Sequence, residues 1–423
     1  MIKQYIKQAL QTLRENRLTS VISILGTTLS VAMILVVVLQ FQIRQAEYSP
    51  VSNRSRMLYV QGINARSKQG NDNNNSGLSA QVARECFYPL TSVEAVSMKA
   101  YDNLVVSLPG KRLFDEYQVI YTDPAFWKVF DFRFLHGQPF TEADFNSGLP
   151  NVVISDYLAR RLFNTTDAVG HELLLNNLME CRVAGVVARP TKAVTDTFAD
   201  VWLPYTCNSA YTESRNCDGI CGSFSAVILA RSTSDFDTIG DEIQKLTARY
   251  NDSKADYILS IGKPLTTLER TLGNGGNYSE NRIGWMEYLR TTGLVLLFLL
   301  LVPTLNLTGI VQSSIQKRRS EMGLRKAFGA TGGRLFTQMV SENLVITLIG
   351  GLAGILLSVA LLYFGRSFLL SGDTVITFGM IFQPYLFVAA LFFTLLINLL
   401  SSGLPACRMS RGQIVESLKD ENK

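Results

Sequence analysis

The sequence predicts an α-helical membrane protein with four transmembrane helices and a large mixed α/β extracytoplasmic domain inserted between helices 1 and 2. Three observations carry that expectation. Charged residues make up only 18% of the chain, against roughly 25% in an average soluble domain. The deficit is concentrated: residues 18–43, 291–316, 343–365 and 374–407 contain no Asp, Glu, Lys or Arg, and each run exceeds the roughly 20 apolar residues that cross a bilayer as a helix. Between the first two runs, residues 44–290 carry the apolar alternation and turn residues of a folded, water-facing domain.

In residues 1–17, Ile2, Tyr5, Ile6, Ala9, Leu10 and Leu13 recur at helical spacing among lysines and glutamines. That pattern predicts a cytoplasmic amphipathic helix at the inner interface, and a plain extension of helix 1 fits it equally. Helix 1 is expected over 18–43. Lys3, Lys7, Arg14 and Arg17 precede it as they would a signal peptide, whose apolar region is only about 7–15 residues and ends at a small-residue cleavage site. Here "VISILGTTLSVAMILVVVLQF" is longer and runs into "QIRQAEYSP" without such a site, so it reads as an uncleaved anchor. Helix 2 is expected over 291–316, a cytoplasmic loop over 317–342, helix 3 over 343–365 and a short periplasmic loop over 366–383. Helix 4 follows over 384–404, starting at Gln383-Pro384 because proline suits a first helical turn. Residues 405–423 form the tail.

Charge sets the orientation, since Lys and Arg crowd short cytoplasmic loops. Lys317, Arg318, Arg319, Arg325, Lys326 and Arg334 lie in the loop after helix 2, and Arg408 and Arg411 follow helix 4, whereas 366–383 offers only Arg366 against Asp373. Both termini are therefore expected in the cytoplasm. The net charge of +5 is spent on topology, and nucleic acid is not an expected partner.

In the inserted segment, "RMLYVQGI" reads as a strand and "NARSKQGNDNNNSGLS" as a polar loop. "SAQVARECFYPL" reads as a short helix, and "LVVSLPGKRLFDEYQVIYTD" as two strands around a Pro-Gly turn. "VVISDYLARRLF" begins as a strand and enters a helix at the capping residue Ser155. "ELLLNNLMECRVAGVV" predicts a hairpin around Asn176-Asn177. After "DVWLP", residues 222–262 predict strand, helix and strand, and "GNGGNYSEN" the return to helix 2.

Five of the six cysteines fall in this segment, where an extracytoplasmic location permits disulfides. Cys207, Cys217 and Cys221 cluster in "CNSAYTESRNCDGIC", so one local bridge is expected among them, with its pairing open. A zinc site there lacks a fourth ligand, because the only histidines, His136 and His171, are far away in sequence.

No catalytic, cofactor-binding or metal motif emerges. No G-x-x-x-x-G-K-[ST] occurs, so the chain lacks the phosphate cradle of an ATPase. "GNGGN" and "GATGGR" read as a linker and a turn. The four apolar runs hold no ionisable residue of the kind an ion-coupled pump uses as a relay. Pro303, Asn306 and Asn398 read as bending or packing features, and Gly350 and Gly354 stand at close-packing spacing. Any work this chain does draws its energy from another chain.

One stretch remains, "SSIQKRRSEMGLRKAFGATGGRLFTQ" (Ser313 to Gln338). Ile315, Met322, Leu324 and Phe328 offer apolar contacts, and Lys317–Arg319, Glu321, Arg325 and Lys326 offer charge. Gly329 and Gly332-Gly333 are expected to end the turn and permit positive φ. A short helix tied at both ends to spanning helices is a lever, although topology and anionic lipid account for the same charge.

Within it, "RRSEMGLRKAFGAT" resembles the signature of the FtsX/MacB-type permease family. "IKQALQTLRENRLTSVISILGTTLSVA" resembles that family's entry helix and first span. "VIYTDPAFWKVFDFRFLHGQPFTEADF" and "NVVISDYLARRLFNTTDAVGHELLL" are similar to the MacB-like periplasmic core domain. "LPACRMSRGQIVESLK" resembles the closing tail, with Ile414 where the family often has proline. The resemblance implies a permease subunit of a type VII ABC system in the bacterial inner membrane, with the large domain periplasmic. The loop after helix 2 would then form a coupling helix on an ATPase, with Glu321, Met322, Gly323, Leu324, Arg325, Lys326, Gly329 and Ala330 as contact and hinge positions. ATP and Mg would bind that partner, and this chain would carry no cofactor. MacB carries its ATPase on the same chain and no ATPase motif occurs here, so a separate ATPase in two copies is expected. A second permease chain is expected as homodimer or heterodimer. A membrane-fusion protein and outer-membrane channel are further partners the resemblance allows. The implied action is mechanotransmission, serving export or extraction of a peptide, antibiotic or lipoprotein. FtsX-like signalling to a periplasmic cell-wall hydrolase is the alternative, and the large outer domain favours transport.

Overall fold

The computed structural model describes residues 17–45, 47–70, 72–110, 115–192, 194–213, 216–272, 290, 293–294, 328, 331–365, 384–392 and 394–396. The chain divides into two compact units, one formed by Met1–Ile43 with Leu289–Lys423 and the other by Arg44–Tyr288.

The first described element is helix α1, Arg17–Gln45. Its polar residues are reconciled with an apolar helix by bonding back one turn. Thr27 Oγ1 donates to Ser23 O at 2.9 Å, Thr28 Oγ1 to Ile24 O at 2.7 Å and Ser30 Oγ to Gly26 O at 2.6 Å, so these three hydroxyls are satisfied without water.

The inserted unit opens with β1 (Met57–Val60), β2 (Ile63–Ser67) and β3 (Asn73–Leu78), followed by a helical turn capped by Ser79. It continues through β4 (Val93–Ser107), β5 (Asp115–Thr122), β6 (Phe134–Gly137), β7 (Asn151–Ser155), helix α2 (Asp156–Phe163), β8 (Glu172–Leu175), β9 (Met179–Val187) and β10 (Val201–Pro204). The last part comprises β11 (Cys221–Gly222), β12 (Ser225–Ala230), helix α3 (Phe236–Asp252), β13 (Tyr257–Ser260), β14 (Leu265–Thr266) and helix α4 (Thr267–Leu272).

The larger sheet runs β14-β1-β12-β4-β5-β10-β7-β9-β6, and β8 pairs with both β4 and β9. That double pairing closes a ring, β4-β5-β10-β7-β9-β8, back onto β4. Closure removes free strand edges within the ring. The hairpin expected at Asn176-Asn177 forms between β8 and β9, with both asparagines at left-handed φ of 50° and 58°, a conformation asparagine tolerates. Ser155 caps α2, its hydroxyl accepting from Leu158 N at 3.1 Å.

The smaller sheet runs β11-β3-β2-β13 and corrects one expectation, because "NARSKQGNDNNNSGLS" is a paired hairpin and not a polar loop. β2 is paired on one side by β13 and on the other by β3. Asn64 Nδ2 bonds the side chains of Asn73 and Asn75, the latter at 2.9 Å. Side-chain amides supply here the cross-strand contacts that apolar pairs supply elsewhere.

Two cores hold the unit together. The first gathers ring positions such as Val106, Val119, Val183 and Leu203 with Leu158 and Leu162 of α2 and the α3 residues Ile239, Ile243 and Tyr250. The second is aromatic. Phe126, Phe130, Phe140 and Trp202 are buried, with Trp127, Phe132 and Phe134 packed against them. Phe132 lies 5.2 Å from Trp202 and Trp127 5.3 Å from Phe134, ring centre to ring centre in edge-on geometry. The aromatic run "FWKVFDFRF" is thus core.

After the inserted unit come helix α5 (Gly332–Phe364) and the apolar helix α6 (Pro384–Leu396). Ser20–Leu39 of α1 and Leu344–Phe364 of α5 are long and apolar enough to cross a membrane. α5 starts well inside the segment expected as loop 317–342. Thr331 takes the extended N-cap backbone (φ −73°, ψ 147°), so Gly332-Gly333 open a helix instead of closing a turn. The expected helices over 1–17 and 291–316 fall almost wholly outside the described residues, as do the loop 366–383 and the tail 405–423.

α1 and α5 pack through the two glycines singled out by spacing. A Cβ on Gly350 would lie 2.7 Å from Thr27 Cβ, and one on Gly354 would lie 2.7 Å from Val31 Cβ. Thr28 Oγ1 also reaches Gly350 O at 3.2 Å. Small residues let the backbones approach closely enough for that interhelical bond. Val31, Leu35, Leu39, Leu362 and Phe387 complete a small core of α1, α5 and α6.

Candidate functional site

The chain enters the inserted unit through residues 47–56 and β1, and leaves it through β14 and α4. These two legs are neighbours. β1 and β14 are antiparallel, with Leu58 opposite Thr266 and Tyr59 opposite Leu265. Thr267 Oγ1 donates to Arg54 O at 3.0 Å. On the incoming leg, Arg56 Nη1 donates to Glu94 Oε2 at 2.9 Å and Ala230 O at 3.0 Å. On the outgoing leg, Thr266 N donates to Glu269 Oε2 at 2.8 Å and Glu269 N to Thr266 Oγ1 at 3.2 Å. That reciprocal pair satisfies the exposed N–H groups where α4 begins.

Beside the legs lies a buried ionic cluster. Asp196 forms ion pairs with Lys99 of β4 and Arg270 of α4. Lys99 Nζ donates to Tyr101 OH at 2.8 Å, Tyr101 OH donates to Thr195 O at 3.0 Å, and the Arg270 guanidinium lies 4.5 Å from the Tyr59 ring centre. Burial alone would raise the Asp196 carboxyl, but Arg270 and Lys99 outweigh it and hold it well below the usual carboxylate range. Burial brings Lys99 down to about 8, with Asp196 opposing the fall and the neighbouring Arg270 charge adding to it.

Asp196 belongs to the strap of residues 188–200 that joins β9 to β10. Its ends are tied together, since Arg189 Nη2 donates to Asp200 Oδ2 at 3.1 Å and Arg189 Nε lies 3.0 Å from Asp200 Oδ1. Arg189 also stacks 3.9 Å from the Tyr157 ring centre, and Ser155 Oγ donates to Asp200 Oδ1 at 2.7 Å. Val194 and Ala199 are buried in the aromatic core.

The coupling positions Glu321, Met322, Gly323, Leu324, Arg325, Lys326, Gly329 and Ala330 lie outside the described residues, and their neighbour Phe328 is exposed. Of the cysteine cluster, Cys217 is bridged to Cys221 and Cys207 is a free thiol. Burial pushes the Cys207 thiol up to about 12. The cluster of Lys99, Asp196 and Arg270 had no sequence signal beyond a lone lysine in the strand "VSMKAY".

Residues 20–246 match the MacB-like periplasmic core domain and residues 293–414 the FtsX-like permease C-terminal region. The chain is 23% identical over 438 residues to the uncharacterized ABC transporter permease YknZ of Bacillus subtilis strain 168, with 98% of each chain covered. It is 28% identical over 297 residues to the macrolide export ATP-binding/permease protein MacB of Agrobacterium fabrum strain C58, covering 69% of this chain and 42% of that protein. It therefore spans nearly all of the first relative and less than half of the second. Among solved structures, the extracellular domain of YknZ from Gram-positive bacteria matches with a TM-score of 0.35 and 15% identity, over 47% of this chain and 98% of that one. The periplasmic region of MacB from Actinobacillus actinomycetemcomitans matches with a TM-score of 0.37 and 15% identity, over 53% and 95%.

Proposed function

Because this chain belongs to the FtsX/MacB-like family of ABC transporter permeases, we propose that it transmits the ATP-driven motion of a separate ATPase to its inserted domain. The observation that carries this reading is the pairing of β1 with β14. A domain tethered at two distant points can absorb motion of either tether in its own deformation. Here the tethers enter as adjacent strands of one sheet, so relative movement of the helices they continue shears a single ladder.

In this reading both termini are cytoplasmic, the inserted domain is periplasmic, and helices at 291–316 and 384–404 join α1 and α5 as four spans of the inner membrane. The ATPase docks on Glu321–Lys326 with Gly329 and Ala330 as hinge, and it carries the ATP and Mg. This chain contributes no catalytic group. Two ATPase copies and two permease chains complete the machine. Its purpose is export or extraction at the periplasmic side, in line with the macrolide export named for the MacB relative, with a peptide, antibiotic or lipoprotein as cargo.

The test is reconstitution of permease and ATPase in proteoliposomes. Cargo-stimulated ATP turnover with matching flux is expected. ATP turnover without flux, together with activation of a periplasmic hydrolase, replaces transport by signalling and leaves the transmission step standing.

A further inference from the structure

The outgoing leg is fastened to the inserted unit at two places of unequal reach. β14 gives only two residues to its ladder with β1, and that ladder reaches the ring only at β4, through β1 and β12. α4, directly after β14, is held through Arg270 to Asp196. Asp196 sits in the strap whose ends are β9 and β10, and both strands belong to the closed ring. Lys99, the other partner of Asp196, is a fixed post. Its strand is paired on both sides at that residue, with Ser225 and with Thr122.

We propose that Asp196 is a positioning residue that makes the strap 188–200 the path by which motion of the outgoing leg reaches the ring. The carboxylate stands between a cation fixed in the sheet, Lys99, and a cation carried by the moving leg, Arg270. Displacement of α4 that the two-residue ladder does not hold passes through Arg270 to the strap and along the covalent chain into β9 and β10. This inference rests on the transmission reading and names the residue through which that reading operates. The tied ends of the strap, Arg189 with Asp200, keep it from absorbing the pull by lengthening.

The experiment uses the full permease with its ATPase in lipid nanodiscs, spin-labelled through Leu178→Cys and Leu268→Cys with Cys207→Ser and Cys407→Ser in the background. Leu178, at the tip of the β8–β9 hairpin, and Leu268, on α4, are both exposed. The parent is expected to change its label distance between the nucleotide-free and ATP–vanadate states. Arg270→Gln leaves Lys99 and Asp196 as a balanced pair, so it is expected to retain the ATPase and its basal turnover while losing the distance change. Arg270→Lys is expected to recover part of it. Neutralising all three charges (Lys99→Gln, Asp196→Asn, Arg270→Gln) leaves no unpaired buried charge and is expected to be equally silent, which keeps the test open if the single variant folds poorly. A parent-sized change in either silent variant overturns the role of Asp196 alone. No change in the parent overturns the transmission reading and this inference with it.

Discussion

Tyr59 and Leu265 face each other across an antiparallel ladder, although they come from opposite ends of the inserted segment. Tyr59 is also opposite Val227 of β12, so the incoming strand has a partner on both sides and the outgoing strand lies at the rim. Ladder bonds contribute only about 0.5–1.5 kcal/mol each, so the two-residue β14 is by itself a weak fastening of the outgoing leg, and Arg270 ties that leg a second time through Asp196.

Gly354→Leu is expected to separate α1 from α5. A Cβ there would already lie 2.9 Å from Thr28 O, a backbone atom that cannot move aside alone. Overpacking of this kind costs about 1–3 kcal/mol. A lowered melting temperature of the detergent-solubilised protein checks it, with Gly293→Leu, where a Cβ meets nothing, as the silent control.

Stability is expected to fall between about pH 4 and pH 6 through one carboxylate. Burial pushes Asp123 up to about 6, although its Oδ2 accepts from Met98 N and Tyr88 OH, both at 2.8 Å. The native state holds this proton more tightly than the unfolded chain, so the stabilisation is complete below the unfolded value near 4 and is lost as pH rises through 6. Asp123→Asn keeps an acceptor oxygen and removes the charge. Its advantage over the parent in thermal melts is expected to grow with pH, by about 3 kcal/mol between pH 4 and neutrality. A pH-independent difference contradicts this.

Peptide mapping without reductant is expected to link Cys217 to Cys221 and leave Cys207 open to alkylation in the unfolded chain. Cys217 and Asp218 both hold left-handed φ, 49° and 56°, in the turn that delivers Cys221 to its pairing with Leu78. Cys217→Ser is expected to cost about 2 kcal/mol, the value for closing so short a loop. A bridge to Cys207 would contradict both the pairing and this estimate.

Local patterns in the sequence anticipated local structure. Two consecutive asparagines marked the β8–β9 hairpin because few other residues accept left-handed φ twice in succession, Ser155 marked a helix start, and the four-residue spacing of Gly350 and Gly354 marked a helix contact. β2 and the Asn-rich β3 were missed because their pairing comes from neighbouring strands and amide bonds, which leave no apolar alternation. The ionic cluster was invisible for a different reason. Lys99, Asp196 and Arg270 are separated by 97 and 74 residues, and only the folded topology brings them together. The closed ring likewise depends on β8 meeting β4, a long-range contact that no local window contains.

In the proposed function a separate motor moves this chain through the segment Glu321–Ala330. The most direct measurement is ATPase retention and stimulated ATP turnover by purified full-length Gly323→Trp and Arg325→Glu, each with the melting temperature of the parent. Loss of the ATPase, or its retention without stimulated turnover, is the expected result. Normal binding and normal stimulation in both variants would contradict the account.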